Sequence, residues 1–160
     1  MTDVRLSEEQ ELLVATCRRM VERAPTAPPP VGTRRSVDVE TWRSLTEAGL
    51  VGLATPLELG GGGASALEVA LVAEQLARGP AAVPYVGTTV ALDAVGRTTA
   101  VSDREALRVH TVASLLAGGT AGIVVSDDLR HLAPVGLAVD AEAGGTVVGV
   151  GPGDGPAGGG

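Results

Sequence analysis

The chain has no lysine and no phenylalanine, a single cysteine, and only two aromatic residues, Trp42 and Tyr85. Each scarcity excludes something. All twelve basic side chains are arginines, set against nineteen acidic ones, for a net charge of −7. An acidic chain without a basic cluster is a poor partner for nucleic acid and for anionic membrane surfaces. Cys17 has no second cysteine to pair with, which excludes an internal disulfide and makes a reducing, cytoplasmic setting the expectation. Asp3, Arg5, Glu8 and Glu9 near the start do not fit a signal peptide. No stretch approaches the roughly 20 apolar residues of a membrane span. With so few aromatics, the core has to be built from Leu, Val and Ala. Aromatic rings bury the most area per residue, so a thin core is expected. The chain also carries 23 glycines, and low stability in isolation, relieved by association, follows as an expectation.

What is present falls into a clear order. One hundred and sixty residues suit one domain, or one domain and part of another. A first helix begins at Ser7, which forms a capping box with Gln10. Leu13, Cys17, Met20 and Ala24 share a face at helical spacing. Glutamates in the first turn and arginines in the last suit the helix dipole, and Pro25 ends the run. Residues 24–33 read as a linker stiffened by Pro28, Pro29 and Pro30. The arginine pair that follows, Arg34 and Arg35, reads as a solvated face. A second helix opens near Asp38, carries Trp42 and Leu45, and stops at Gly49, where glycine accepts a left-handed cap.

The stretch from Leu45 to Val86 organises the rest. Leu50 to Pro56 leads into four glycines, Gly60 to Gly63, a costly run to order and therefore a turn. Ser65 and Glu68 then form a second capping box before an apolar run, Leu67 to Ala77, that ends at Gly79-Pro80. A helix with so few polar residues is expected at the centre of a bundle. Tyr85 to Val95 forms a fourth segment of modest helix propensity. A third capping box, Ser102 with Glu105, opens a fifth helix that stops at Gly118-Gly119. Beyond it the pattern changes. Ala121 to Val125 is β-branched, and Val135, Leu137 and Val139 alternate as in a strand. Gly144-Gly145 signals a hairpin returning through Thr146 to Val150. Strands this few need something to pack on. From Gly151 the sequence is low-complexity and expected to be disordered.

Trp42 to Leu53, Pro56 to Gly63 and Glu68 to Tyr85, preceded by LSEEQELLVATCRRMVER at residues 6–23, resemble the amino-terminal helical domain of the acyl-CoA dehydrogenase family. The resemblance covers residues 6–118. It implies a mostly α chain: an amino-terminal bundle of about five helices in residues 1–118, a partial β-domain remnant in residues 119–150 and a disordered Gly-rich tail in residues 151–160. The family reaction is FAD-dependent oxidation of the Cα–Cβ bond of an acyl-CoA thioester, a step of fatty acid metabolism. A carboxylate base takes the α proton while the β hydrogen passes as hydride to the flavin, the flavin supplying the redox chemistry. In the family the base and many flavin contacts come from a carboxy-terminal bundle that this sequence lacks, so no residue here is assigned as the base and no flavin role is transferred. The expectation is a shortened, acyl-CoA dehydrogenase-like chain, incomplete on its own, with FAD as the family cofactor and acyl-CoA as substrate. It would form homo- or hetero-oligomers with related chains. The alternative is a non-catalytic helical subunit that docks on a complete acyl-CoA dehydrogenase. Because the amino-terminal helices of the family help wall the acyl cavity, Tyr85, Thr88, Thr89 and Leu92 are the candidate substrate contacts.

Other groupings carry no chemistry. The glycine cluster lacks the G-K-[ST] of a phosphate loop and no strand leads into it. Cys17, His110 and His131 offer no metal-ligand spacing. Ser126-Asp127-Asp128 reads as a polar turn, and it does not match the T-E-P-x-x-G-S-D-like stretch of the family's middle domain.

Overall fold

A computed structural model describes residues 5–24, 37–98, 105–125, 137–139 and 146–148. The linker prolines, Arg34 and Arg35, Ser102, the Ser126–Asp128 turn, His131 and the glycine-rich tail lie outside the described residues. Those described form a mostly α structure with five helices: α1 (Glu8–Arg23), α2 (Val39–Glu47), α3 (Ala66–Ala77), α4 (Tyr85–Arg97) and α5 (Glu105–Leu116). Three strands follow: β1 (Ala121–Val125), β2 (Leu137–Val139) and β3 (Thr146–Val148).

The helix starts are written in the sequence. Ser7 and Gln10 form the capping box of α1, and Ser65 and Glu68 that of α3. Asp38 caps α2 by accepting from the Thr41 amide at 3.1 Å and the Thr41 hydroxyl at 2.7 Å. Each such cap satisfies amides that have no partner inside the helix, and each contributes about 1 kcal/mol. The two boxes are also joined to one another. The Gln10 amide donates to Glu68 Oε1 at 2.7 Å across 58 residues of sequence. The same offset recurs at the other end, where Val21 packs against Gly79 so closely that a Cβ on the glycine would overlap it. α1 and α3 therefore run parallel, side by side, from their capped starts to their ends.

The helix stops follow from glycine. At the end of α2 the Gly49 amide donates to Thr46 O and the Leu50 amide to Leu45 O, both at 2.9 Å, with Gly49 at φ +72°. At the end of α5 the Gly118 amide donates to Leu115 O and the Gly119 amide to Ser114 O, both at 3.1 Å, with Gly118 at φ +104°. Both are Schellman ends, in which the left-handed residue turns the last carbonyls into acceptors.

The core is one cluster built from all five helices and β1. Its only aromatics are Trp42 and Tyr85, both buried. Buried ring N–H and O–H groups need partners, and these have them. Trp42 Nε1 donates to Gly118 O at 2.8 Å, and the Tyr85 hydroxyl donates to Leu50 O at 3.2 Å. Arg108 adds a tie between α4 and α5: its guanidinium donates to Gly96 O at 2.9 Å while pairing with Glu105.

Two expectations are corrected. α3 is not the enclosed centre of the bundle; Leu67 is half exposed and Ala66, Ala70, Glu74 and Ala77 lie at the surface. The run suggests enclosure because it has few polar residues, but it is rich in alanine, which removes little surface from water when buried. The central helix is α4, which buries Tyr85, Gly87, Thr88, Thr89, Ala91, Leu92 and Gly96 and packs on α5 and β1. The second correction concerns the strands. β2 and β3 do not form a hairpin with each other; the sheet order is β2-β1-β3, with β2 antiparallel and β3 parallel to β1. β1 is the strand that packs on α4, with Ala121 and Ile123 buried. Pairing on both of its edges satisfies the backbone of this buried strand. Gly144 and Gly145 lie outside the described residues.

The glycine cluster folds back on the preceding loop. A single 3-10 turn, Leu57–Leu59, closes at Gly60 with φ +86°. Gly61 lies against Thr55, so that a Cβ at this position would overlap the Thr55 carbonyl. Gly61→Ala is expected to destabilise the protein by about 1–3 kcal/mol, because the contact is with backbone and cannot swing away; thermal unfolding followed by circular dichroism measures it.

Glu68 gives a second prediction. Its carboxyl is held down to about 2 from an ordinary 4.5, first by the Ser65 hydroxyl and then by the Gln10 amide. A carboxylate with a depressed folded-state value stabilises above its unfolded value and loses that contribution as pH falls. The Tm of the native protein should therefore fall faster than that of Glu68→Gln between pH 4.5 and pH 2, since glutamine keeps the capping acceptor without titrating. Parallel pH profiles of the two proteins would remove Glu68 as the source.

Candidate functional site

The residues singled out on α4, Tyr85, Thr88, Thr89 and Leu92, are spaced i, i+3, i+4 and i+7, which places them on one helix face. That face is the packed one. Thr88 is fully buried at the start of β1, where its hydroxyl donates to Ala121 O at 3.2 Å and accepts from the Ala121 amide at 3.0 Å. Both halves of one strand residue's peptide hydrogen bonding are thus met by a helix side chain. Thr89 turns back on its own helix and donates to Tyr85 O at 2.9 Å and Val86 O at 3.1 Å. Leu92 lies in the core cluster.

Of the four, Tyr85 reaches a surface depression among the described residues. It forms part of an apolar groove of about 370 Å³ lined also by Ala73, Leu76, Ala77, Ala81, Val83 and Val86. α3 supplies one wall through its carboxy-terminal half. The Ala81–Val83 connector and the first turn of α4 supply the other. The Asp38 amide fixes the connector by donating to Ala82 O at 2.8 Å. Val86, which the face pattern does not single out, is half exposed at the rim. Its signal in the sequence was only that it stands next to Tyr85 on the side of α4 away from the core.

The groove has no charge in its lining, and its one side-chain polar group, the Tyr85 hydroxyl, is committed to Leu50 O. Burial pushes the Tyr85 hydroxyl far above its usual range, and the neighbouring Cys17 adds to the shift. Cys17 is itself pushed up to about 11 by burial, so neither group supplies an anion at neutral pH. A pocket of this size and lining suits an apolar group, and it contains no acid or base to act on one.

The remaining candidates are equally clear. All four glycine amides of the cluster are used inside the protein: Gly60 donates to Leu57 O, Gly61 to Pro56 O, Gly62 to Gly52 O and Gly63 to Thr55 O. They present no cradle to a phosphate. A second depression at the paired starts of α1 and α3 is lined by Ser7, Glu9, Gln10, Ala64, Ser65 and Glu68. The Glu68 carboxylate already takes up the donors there, Ser65 N at 3.0 Å and the Gln10 amide at 2.7 Å. Among the described residues there is no cluster of His, Cys, Asp and Glu able to hold a metal, and no helix long and apolar enough to cross a membrane.

Residues 7–119 match the family model for the acyl-CoA dehydrogenase amino-terminal domain. The chain belongs to the acyl-CoA dehydrogenase family. It is also similar to acyl-CoA dehydrogenase IpdE2 of Mycolicibacterium smegmatis, 32% identical over 138 residues, a match that takes in 77% of this chain and 43% of the relative. The chain thus spans less than half the length of that curated relative. Acyl-CoA dehydrogenases are generally FAD-dependent. At the glycine loop the amides are engaged within the protein, and the groove lining carries no charged side chain to meet a flavin's pyrophosphate.

Tyr85→Phe should lower stability by about 1 kcal/mol, the net worth of one buried hydrogen bond, while leaving the apolar groove in place. Tm and the binding of an apolar fluorescent probe, measured on the same samples, separate the two effects; an unchanged Tm would show that the Leu50 contact contributes nothing.

Proposed function

We propose that this chain forms the amino-terminal helical wall of an acyl-CoA dehydrogenase, the family reaction being FAD-dependent α,β-dehydrogenation of an acyl-CoA thioester. The observation that carries this reading is the uncharged groove between α3 and the first turn of α4, in a chain of this family. The groove offers one side of an acyl-group site, with Tyr85 as a contact and Val86 at its rim. Thr88, Thr89 and Leu92 act from behind, by fixing α4 on β1 and on the core. The groove lining contains no carboxylate and the loop amides are engaged, so in this reading the base that takes the α proton and the donors that hold FAD are other groups than these. The division into a helical domain over residues 1–118, a β portion over 119–150 and a separate tail over 151–160 accords with this role, as does a cytoplasmic setting.

A second reading is supported by the surface of α3 and α4. Leu67, Val86 and Val90 are large apolar side chains left exposed on those two helices, and the strands among the described residues number three, each of three to five residues. Both features suit a non-catalytic subunit that docks α3 and α4 on a complete acyl-CoA dehydrogenase chain, giving a hetero-oligomer in which the acyl pocket is shared.

Visible absorbance of the purified protein, with released flavin quantified against protein, tests the first reading. A colourless protein without acyl-CoA oxidation is expected; stoichiometric FAD would overturn the account of the missing donors. Size-exclusion chromatography with mass detection, run with a full-length homologue, tests the second. Val86→Glu should abolish co-elution while changing stability by less than about 0.5 kcal/mol, as is usual for an exposed position. Absence of co-elution at every ratio of native chain to homologue would rule out the docked subunit.

A further inference from the structure

We draw no further inference here: the strongest candidate, the uncharged groove between α3 and the first turn of α4, belongs to the site already described, and nothing in the structure shows what else covers it.

Discussion

Trp42 and Tyr85 each reach across the bundle to a carbonyl at a glycine-closed helix end, and the placement of the other elements depends on those two bonds. Leu50 O, the acceptor for Tyr85, follows the left-handed Gly49 that closes α2. Gly118 O, the acceptor for Trp42, belongs to the left-handed glycine that closes α5. α2 is thereby held to the end of α5, and the start of α4 to the end of α2. A chain with no phenylalanine has few large surfaces to bury, and leaving either ring donor unpaired would cost a sizeable share of a margin that is only a few kcal/mol in small domains. The two aromatics thus serve as directional ties as well as apolar bulk.

From those ties the groove follows. With Tyr85 fixed, the first turn of α4 and the short connector before it stand beside the carboxy-terminal half of α3. That half of α3 carries alanines, Ala73 and Ala77, where larger side chains would fill the space. Further along α4, Thr88 locks the helix to Ala121, so the strand that begins the β portion starts from a fixed point. The apolar depression and the β portion are therefore positioned by the same helix, one on each side of it.

Much of the fold was legible in the sequence because its signals are local. The capping boxes Ser7–Gln10 and Ser65–Glu68, the Asp38 cap, and the stops at Gly49 and Gly118 all depend on neighbours within a turn or two, and all appear in the structure as read. α4 was less legible. Its threonines and glycines argue weakly for helix, and it forms because β1, α5 and the core enclose it. What could not be read locally was which elements pair. The alanine-rich α3 looks more buried than it is, since an apolar letter does not say how much surface it removes. The strand order β2-β1-β3 depends on which strand α4 covers, a fact no hairpin signal carries. At the candidate site Tyr85, Thr88, Thr89 and Leu92, which the family resemblance suggested, fall on one face of α4. Periodicity marks the packed face of a helix, however, and only Tyr85 at its end reaches the groove. Val86 escaped because it lies off that face.

The link between the two capping boxes has a consequence for how this sequence can change. Glu68 accepts from the start of its own helix and from Gln10, whose side chain also caps α1. A substitution at either position is felt by two helices at once, and the parallel arrangement brings two positive helix ends to the same spot. Replacing Glu68 with a residue that cannot accept would therefore loosen α1 even though α1 itself is untouched. Drift at positions 10 and 68 should be correlated, each tolerating only those changes that the other can answer, while the exposed arginines and glutamates along the same helices remain free to vary independently.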